Sequence, residues 1–225
     1  MHRLFLLCCL LAIGLRSAAQ REMSAIPPHS SLAYFRFGGG AAVAYTSGYT
    51  GSVGLVVIPK RSSWGGAFEH RAVGFEAKNL PSDYKPGTSF WGGPNIPHDE
   101  MAIWSLHAIR EHFFPTRVLR AGIEIGASYV VQRALDFAPL MQPQSAGLFS
   151  NASSNYGYTA RREVGTGLSL RAKVEFPLSA AFGLEAAFIG NLNTKQSFIG
   201  FEATGTLGKV RDRIRPKKEA GKSKR

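Results

Sequence analysis

The chain alternates apolar residues with polar or small ones along several segments, most clearly over residues 163–176. There an apolar residue or Thr occupies every second position from Val164 to Phe176, and Gly, Ser, Arg, Lys and Glu fill the positions between. A β-strand sends alternate side chains to opposite faces, so this strand has one apolar face and one charged or small face. A charged face is costly inside a soluble core. It is accommodated if the charges line a closed barrel whose apolar exterior meets lipid.

The same alternation, with the turn signals around it, predicts eight strands. Their predicted ranges are 33–45, 51–59, 64–75, 101–114, 119–131, 163–176, 181–190 and 195–210. The fourth segment also fits helical spacing through Ile103, Leu106 and Ile109, although a tight turn before so regular a fifth strand favours a hairpin. The facing of the third strand stays open, because His70 interrupts its less charged side. Eight is the smallest even count among bacterial outer-membrane barrels, so we predict an all-β, eight-stranded antiparallel transmembrane barrel, an up-and-down meander.

The connections between these strands alternate in length. Those after strands two, four and six are short, those after strands one and seven are intermediate, and residues 76–100 and 132–162 form long irregular connections. In outer-membrane barrels the short turns face the periplasm and the longer loops face outward. The two long connections are therefore the predicted contact surfaces for an unknown surface ligand.

Segments outside the barrel have their own signatures. Residues 1–19 read as a cleaved signal peptide, with a basic start, an apolar run and a small-residue cleavage site. The apolar run is shorter than the roughly 20 residues of a spanning helix, and no later run approaches that length. Residues 20–31 are a lead-in, 32–211 the barrel and 212–225 a basic disordered tail. Cys8 and Cys9 both fall in the signal peptide, which leaves no disulfide or thiolate metal site in the mature chain.

The net charge of +12 is concentrated at the end of the chain. Residues 209–225 carry nine Lys or Arg against two acidic residues, whereas residues 20–208 carry 16 basic and 13 acidic residues. A nearly balanced body does not predict a nucleic-acid partner. Two interpretations of the tail stay open: a weak electrostatic contact with an anionic partner in the periplasm, or an inert solvated end.

Two stretches carry a family resemblance. The run GNLNTKQSFIGFEATGTLGKVR, residues 190–211, has an Asn-X-Asn turn and a last strand closing on Gly-Lys-X-Arg, and LRAGIEIGASYVV, residues 119–131, is a Gly-rich strand before a long loop. Both resemble small outer-membrane β-barrel proteins of Bacteroidota-type bacteria, as does a signal ending in Ala-Gln. The resemblance implies an outer-membrane location, contact with outer-membrane lipid and no assigned reaction. This chain departs from the pattern by continuing past the last strand into the basic tail.

Charged residues on the clear strands form the candidate site. They share the face opposite the apolar one, and are Arg120, Glu124, Arg171, Lys173, Glu175, Glu185 and Glu202. The interior of an eight-stranded barrel is just wide enough for side chains to fill, and buried charges are tolerated when they are paired. We predict a structural salt-bridge network that plugs the lumen; the alternative is a selective ion path.

Catalytic and metal-binding patterns are weak. Ser105 and His107 share a face with Glu111, but same-face neighbours on a strand lie about 7 Å apart, beyond hydrogen-bond reach. We therefore predict no enzymatic activity; the alternative from another class is an outer-membrane lipid-modifying enzyme. Neither a metal nor a cofactor is predicted. His98, Asp99, Glu100 and His107 lack a ligand spacing, and the Gly38–Gly40 run lacks the Lys-Ser/Thr and helix of a phosphate loop.

Aromatic residues are candidates for girdles at the two membrane interfaces. The candidates are Trp64, Trp91, Trp104, Phe113, Phe114, Tyr129 and Phe176. The alternative is that these aromatic residues pack inside the protein. This would be true of a secreted soluble barrel that binds lipid inside, with an apolar lumen and a polar exterior. Alternation alone does not say which face is which.

Overall fold

Eight long antiparallel strands close into a barrel in the computed structural model, which describes residues 31–60, 62–88, 94–114, 119–140 and 154–211. The strands are β1 Leu32–Val43, β2 Ser47–Ile58, β3 Trp64–Glu76, β4 His98–Phe113, β5 Arg120–Pro139, β6 Tyr156–Phe176, β7 Phe182–Asn193 and β8 Phe198–Lys209. Each strand pairs with the next, and β8 pairs with β1. The predicted eight-stranded meander is confirmed. The signal peptide, residues 20–30 of the lead-in, Trp91 and the tail from residue 212 lie outside the described residues.

Strands β5 and β6 extend well beyond their predicted limits. Residues 132–162 were predicted to be an irregular loop, which is wrong for much of this range, because the β5–β6 ladder continues without a break from Val131↔Val164 to Pro139↔Tyr156. The paired residues 134–139 and 156–161, called the hairpin arm below, rise past the last pairs that β4 and β7 make with this hairpin. The arm's outward positions include Leu135, Phe137 and Tyr158, but they stand in a segment otherwise rich in polar residues, so the sequence pattern predicts a loop there.

Two turns at the same end of the barrel differ from their predicted positions. The turn expected at residues 46–50 occupies only residues 44–46, because Ser47 already pairs with Val43. The loop expected at 191–194 lies at 194–197, and residues 195–197 do not belong to the last strand. Asn193 explains this shift, since its side-chain oxygen accepts the backbone N–H groups of Lys195 and Gln196 at 2.8 Å each and starts an Asx-type turn. The connections after β1 and β7, predicted to be intermediate, are tight.

The helical alternative for 101–114 is wrong, because β4 pairs along its whole length with β3 and β5. Among the residues that the structure describes, no helix is both long enough and apolar enough to cross a membrane. The connection between β3 and β4 is long, as predicted, and contains a short ladder between Gly87–Thr88 and Pro94–Asn95. We call the end of the barrel with this connection the loop end and the opposite end the turn end.

The glycine run in β1 serves a close backbone approach. A Cβ on Gly40 would overlap the Phe201 carbonyl oxygen of β8, so β1 and β8 could not keep their pairing with larger residues there. The room that these glycines provide is for the neighbouring strand itself.

Exposure identifies the two faces of the barrel wall. On β6, Leu168 is 43% and Phe176 is 42% exposed, whereas Arg171 is 1% and Glu175 is 0% exposed. The apolar face therefore points outward and the charged face points into the lumen. This arrangement is the reverse of what a secreted soluble lipid-binding barrel requires. His70 lies on the outer face, where its ring packs against Trp104 at 4.9 Å between centroids.

Candidate functional site

A layer of charged side chains, called the charged layer below, fills the middle of the lumen. Among the described residues it contains five cations and six carboxylates, each at most 4% exposed. The members are Arg36, Glu69, Arg71, Glu111, Arg120, Glu124, Arg171, Lys173, Glu175, Glu185 and Glu202. All seven residues selected from the sequence lie in this layer, because strict alternation along β5 to β8 sends them to the same side of the wall.

Arg171 is a hub of the charged layer. Its guanidinium lies 2.5 Å from Glu185, 2.7 Å from Glu202 and 3.4 Å from Glu69. Glu202 also accepts a hydrogen bond from Arg71 at 3.1 Å and from two β2 hydroxyls at 2.8 and 3.1 Å. Five strands, β2, β3, β6, β7 and β8, are therefore tied together through one guanidinium and the carboxylate that it shares with Arg71.

Arg36 forms a second hub, from the opposite wall. It contacts Glu69 at 2.5 Å and Glu124 at 2.6 Å. Glu69 is shared with Arg71, also at 2.5 Å, and Glu124 is shared with Lys173, at 3.2 Å. Because both carboxylates bridge two cations, the two hubs belong to one continuous network.

Lys173 extends the network towards the turn end. Its ammonium lies 2.8 Å from Glu111 and donates to the Tyr34 hydroxyl at 3.1 Å. That hydroxyl donates in turn to Glu175 at 3.0 Å, and Glu175 is also bound by Arg120. Removing an ion from water costs several kcal/mol, so such a layer is tolerated only with dense mutual pairing.

Two apolar layers enclose the charged layer. Towards the loop end lie Ala42, Val73, Phe75, Met101, Ile103, Val130, Ala187, Ile189 and Phe198. Towards the turn end lie Leu32, Tyr34, Val56, Ile58, Ala67, Ile109 and Val210. All of these side chains are at most 3% exposed. An ion moving along the barrel axis would have to pass both apolar layers as well as the fixed charges.

Ser105 and His107 lie in the lumen, and both are 3% exposed. The Nδ1 atom of His107 is 3.1 Å from Glu124, so the imidazole is oriented by the charged layer. Its Nε2 atom has no hydrogen-bond partner among the described residues. Glu111, the third member of the candidate catalytic set, is bound by Lys173 at 2.8 Å. The three side chains are therefore integrated into the packed interior rather than placed at a lipid-facing opening.

The acidic and histidine residues near the start of β4 separate onto different faces. Asp99 is 4% exposed and ties three segments, accepting from the Tyr45 hydroxyl at 2.8 Å, the Lys78 N–H at 3.1 Å and the Leu135 N–H at 2.9 Å. Glu100 points outward to Arg133 at 3.4 Å. Over the described ranges, no group of three His, Cys, Asp or Glu side chains is arranged to hold a metal ion.

Aromatic residues lie near both ends of the outer wall. Trp64, 56% exposed, lies at the turn end under the Arg110 guanidinium, 5.3 Å from its ring centroid. Trp104 and Tyr129 are neighbours towards the loop end, with centroids 6.0 Å apart. Phe113 is not part of a girdle, since it packs against the inner apolar layer. The remaining candidates are Phe176, which is exposed, Phe114, which is half-buried, and Trp91, outside the described residues.

The hairpin arm packs against the long β3–β4 connection. The Tyr84 ring lies 5.9 Å from Phe137 and 6.4 Å from Tyr156. Asp83 accepts a hydrogen bond from the Tyr156 hydroxyl at 2.9 Å, and its backbone carbonyl accepts one from Asn155 at 2.9 Å. The two long connections therefore form one joint surface beyond the barrel wall.

Four members of the charged layer were missed as site residues: Arg36, Glu69, Arg71 and Glu111. A signal was present for Arg36, which stands between Phe35 and Phe37 in the same outward-apolar, inward-charged alternation as β6. The glycine run that follows obscured it. Glu69 and Arg71 share one face of β3, but His70 on the other face leaves open, from the sequence, which face of this strand points into the lumen.

Comparisons with known proteins give distant likenesses only. No protein-family model and no curated protein matches the chain. The solved structures that it resembles include Ail of Yersinia pestis with the heparin analogue sucrose octasulfate (7% identity, 79% of this chain and 98% of that one, TM-score 0.47). Others are Neisserial surface protein A (9%, 79% and 96%, 0.48) and the N-terminal β-barrel domain of Pseudomonas aeruginosa OprF (14%, 80% and 98%, 0.42). Likenesses at identities this low do not show the function of this chain.

Proposed function

We propose that this chain is an exported outer-membrane β-barrel protein with a structural or surface-interaction role, whose lumen is plugged by its charged layer. The observation that carries the proposal is the facing of the wall: large apolar side chains such as Leu106, 69% exposed, cover the outside, while the charges are buried inside. In water this exterior would be a large exposed apolar surface, whereas in a bilayer it would contact the hydrocarbon chains of the lipids.

Strand length supports a membrane setting. Each barrel strand has 12 residues or more, and about 9 to 11 tilted residues suffice to cross a bilayer. A closed barrel also satisfies every ladder hydrogen bond internally, which the hydrocarbon region demands. The turn end, with its short connections, then faces the periplasm, and the loop end faces outward.

The enclosed charged layer supports a plugged lumen rather than an ion path. A conducting pore needs a hydrated route, and here buried cations and carboxylates are bound directly to one another between two apolar layers. The remaining surface for function is outside the wall. The joint surface of the β3–β4 connection and the hairpin arm is the proposed contact surface for a surface ligand.

Membrane fractionation with detergent extraction tests the location. The protein is expected in the outer-membrane fraction, to be released by detergent and to migrate as a compact, heat-modifiable band. Recovery in the soluble fraction would contradict the proposal. Purified protein in planar bilayers should show no steady conductance, and it should leave phospholipid and lipid A acyl chains intact. A turnover abolished by both Ser105→Ala and His107→Ala would instead establish the enzyme alternative.

The orientation of the barrel also determines the side of the membrane on which the basic tail lies. With both ends of an eight-stranded barrel on the turn-end side, residues 212–225 are proposed to lie in the periplasm, where they contact anionic head groups or an acidic partner. Protease added to sealed cells should cut the surface loops and spare the tail. Tail cleavage in sealed cells would contradict this orientation. Deleting residues 212–225 should leave heat-resistant folding intact, because the pairing described for the last strand already ends at Lys209.

A further inference from the structure

Two arginines face each other on the outer wall just below the hairpin arm. Arg133 of β5 is paired directly with Arg162 of β6, and like charges directly opposite one another destabilise a sheet. Within the described residues the Arg162 side chain has neither an ion pair nor a hydrogen bond. Arg133 meets Glu100 at 3.4 Å, with both side chains more than half exposed. The arginine pair, Arg133 with Arg162, therefore carries cationic charge that the described residues neutralise only in part.

The position of the arginine pair is fixed by an unbroken register. Along this hairpin, Tyr129 pairs with Thr166, Val131↔Val164 follows, and the arginine pair comes next. Positions two apart share a face, so both arginines lie on the outward face to which Tyr129, 49% exposed, belongs. They stand about 13 Å further along the strand than Tyr129, four residues at about 3.3 Å each. The pair thus lies further towards the loop end than Tyr129 and its neighbour Trp104.

Beside Arg162, no described strand pairs with β6 on its β7 side. The ladder between β6 and β7 ends at Gly167↔Asn193, and the Lys195 side chain of the following turn meets β6 at Glu163, on the opposite face from Arg162. The packing of Tyr84 on Phe137 lies higher on the arm. A molecule embedded in the membrane next to the wall can therefore reach the arginine pair laterally.

We infer that the arginine pair binds the phosphate of an outer-leaflet lipid head group. Each guanidinium group offers a fork of N–H donors that matches the oxygens of a phosphate. Because both arginines point outward beside the apolar surface of the wall, a lipid phosphate can reach them while its acyl chains contact that surface, which favours a lipid over a soluble anion. The inference rests on the proposed outer-membrane location and deepens it by naming the lipid chemistry recognised. A bound phosphate would also offset the repulsion between the two guanidinium groups, which explains how two arginines can stand directly opposite each other in the sheet.

The test uses the full chain, folded in neutral detergent, with diphosphoryl lipid A and its dephosphorylated counterpart as probes. Folding is established first by heat-modifiable migration. Wild-type protein should retain diphosphoryl lipid A in native mass spectrometry and lose it when the phosphates are removed. At about 1 kcal/mol per basic residue near an anionic group, Arg162→Gln should weaken binding about fivefold and Arg133→Gln with Arg162→Gln about 25-fold.

Arg161→Gln is the matched control. Arg161 is the neighbouring residue on the same strand, its side chain is 62% exposed, and it lies on the opposite face in an ion pair with Glu163 at 3.0 Å. This variant should bind lipid A as the wild type does. The inference would be overturned if Arg161→Gln and Arg162→Gln weakened lipid A binding equally. It would also be overturned if the wild type bound diphosphoryl and dephosphorylated lipid A equally well. Competition by millimolar inorganic phosphate would indicate a free-phosphate site and would also overturn it. A chain that does not fold in detergent or enter membranes would refute the proposed location instead.

Discussion

Arg171 is the most informative residue at which to perturb the charged layer. Arg171→Met keeps much of the side-chain volume but removes the charge that lies 2.5 Å from Glu185 and 2.7 Å from Glu202. Breaking a buried ion pair by removing one partner costs about 3–5 kcal/mol, because the remaining charge is left uncompensated. Hydrophobic replacement of a whole pair is often neutral, so the cost should depend on what happens to the carboxylates left behind.

The structure indicates where that cost falls. Glu202 keeps Arg71 at 3.1 Å, whereas Glu185 keeps only Lys173 at 3.7 Å. The uncompensated charge is therefore concentrated on Glu185. Arg171→Met combined with Glu185→Gln should recover part of the loss, with a coupling energy of about 1–3 kcal/mol in the double-mutant cycle.

Urea unfolding of the barrel from lipid vesicles measures these free energies, followed by tryptophan fluorescence and by heat-modifiable migration. Arg161→Met is the control, since an exposed ion pair contributes about 0–1 kcal/mol. If Arg171→Met cost no more than Arg161→Met, the charged layer would not stabilise the barrel. If the double variant were as unstable as the sum of the single variants, the assignment of the cost to Glu185 would be wrong.

Three further outcomes are expected from the same unfolding assay. Ile125→Arg, on the lipid-facing wall, should cost about 2–4 kcal/mol near the bilayer midplane, whereas Ser128→Thr in the lumen should cost little; the reverse ranking would refute the facing. Gly126→Ala should cost about 1–3 kcal/mol by overpacking against the His107 imidazole and the Leu106 backbone carbonyl. Gly66→Ala, with room for a Cβ, should be near neutral; equal costs would contradict the packing. Burial, and then a hydrogen bond to a buried carboxylate, raise the pKa of Tyr45 at the loop end. The neutral phenol therefore stabilises the fold below about pH 10 and this contribution is lost as the pH rises through the raised pKa, so Tyr45→Phe should flatten the alkaline decline; an unchanged decline would count against it.

The strand count and the inward set on β5 to β8 could be predicted because a wall with an apolar outside and a charged inside imposes strict alternation. Glu124 stands between Ile123 and Ile125, and Arg171 between Leu170 and Ala172, so in a strand each charge must lie on the face opposite its apolar neighbours. The hairpin arm was predicted as a loop because it belongs to a long segment, residues 132–162, that is rich in polar residues. Its two strands have ladder partners only in each other, and its further contacts are with the β3–β4 connection.

Tertiary structure decided the partners inside the lumen. Arg36 and Glu124 are 88 positions apart in the chain yet lie 2.6 Å apart, and only closure of β1 onto β8 brings their strands to opposite walls of one narrow space. Alternation states which side of the wall a residue faces. It does not state the height of that residue within the barrel, because the height depends on the stagger between strands. The pairing of Arg133 with Arg162 is of the same kind: the sequence by itself determined that the body is a β-barrel with two unlike faces, while register, which is set by the ladder as a whole, decided which charges meet.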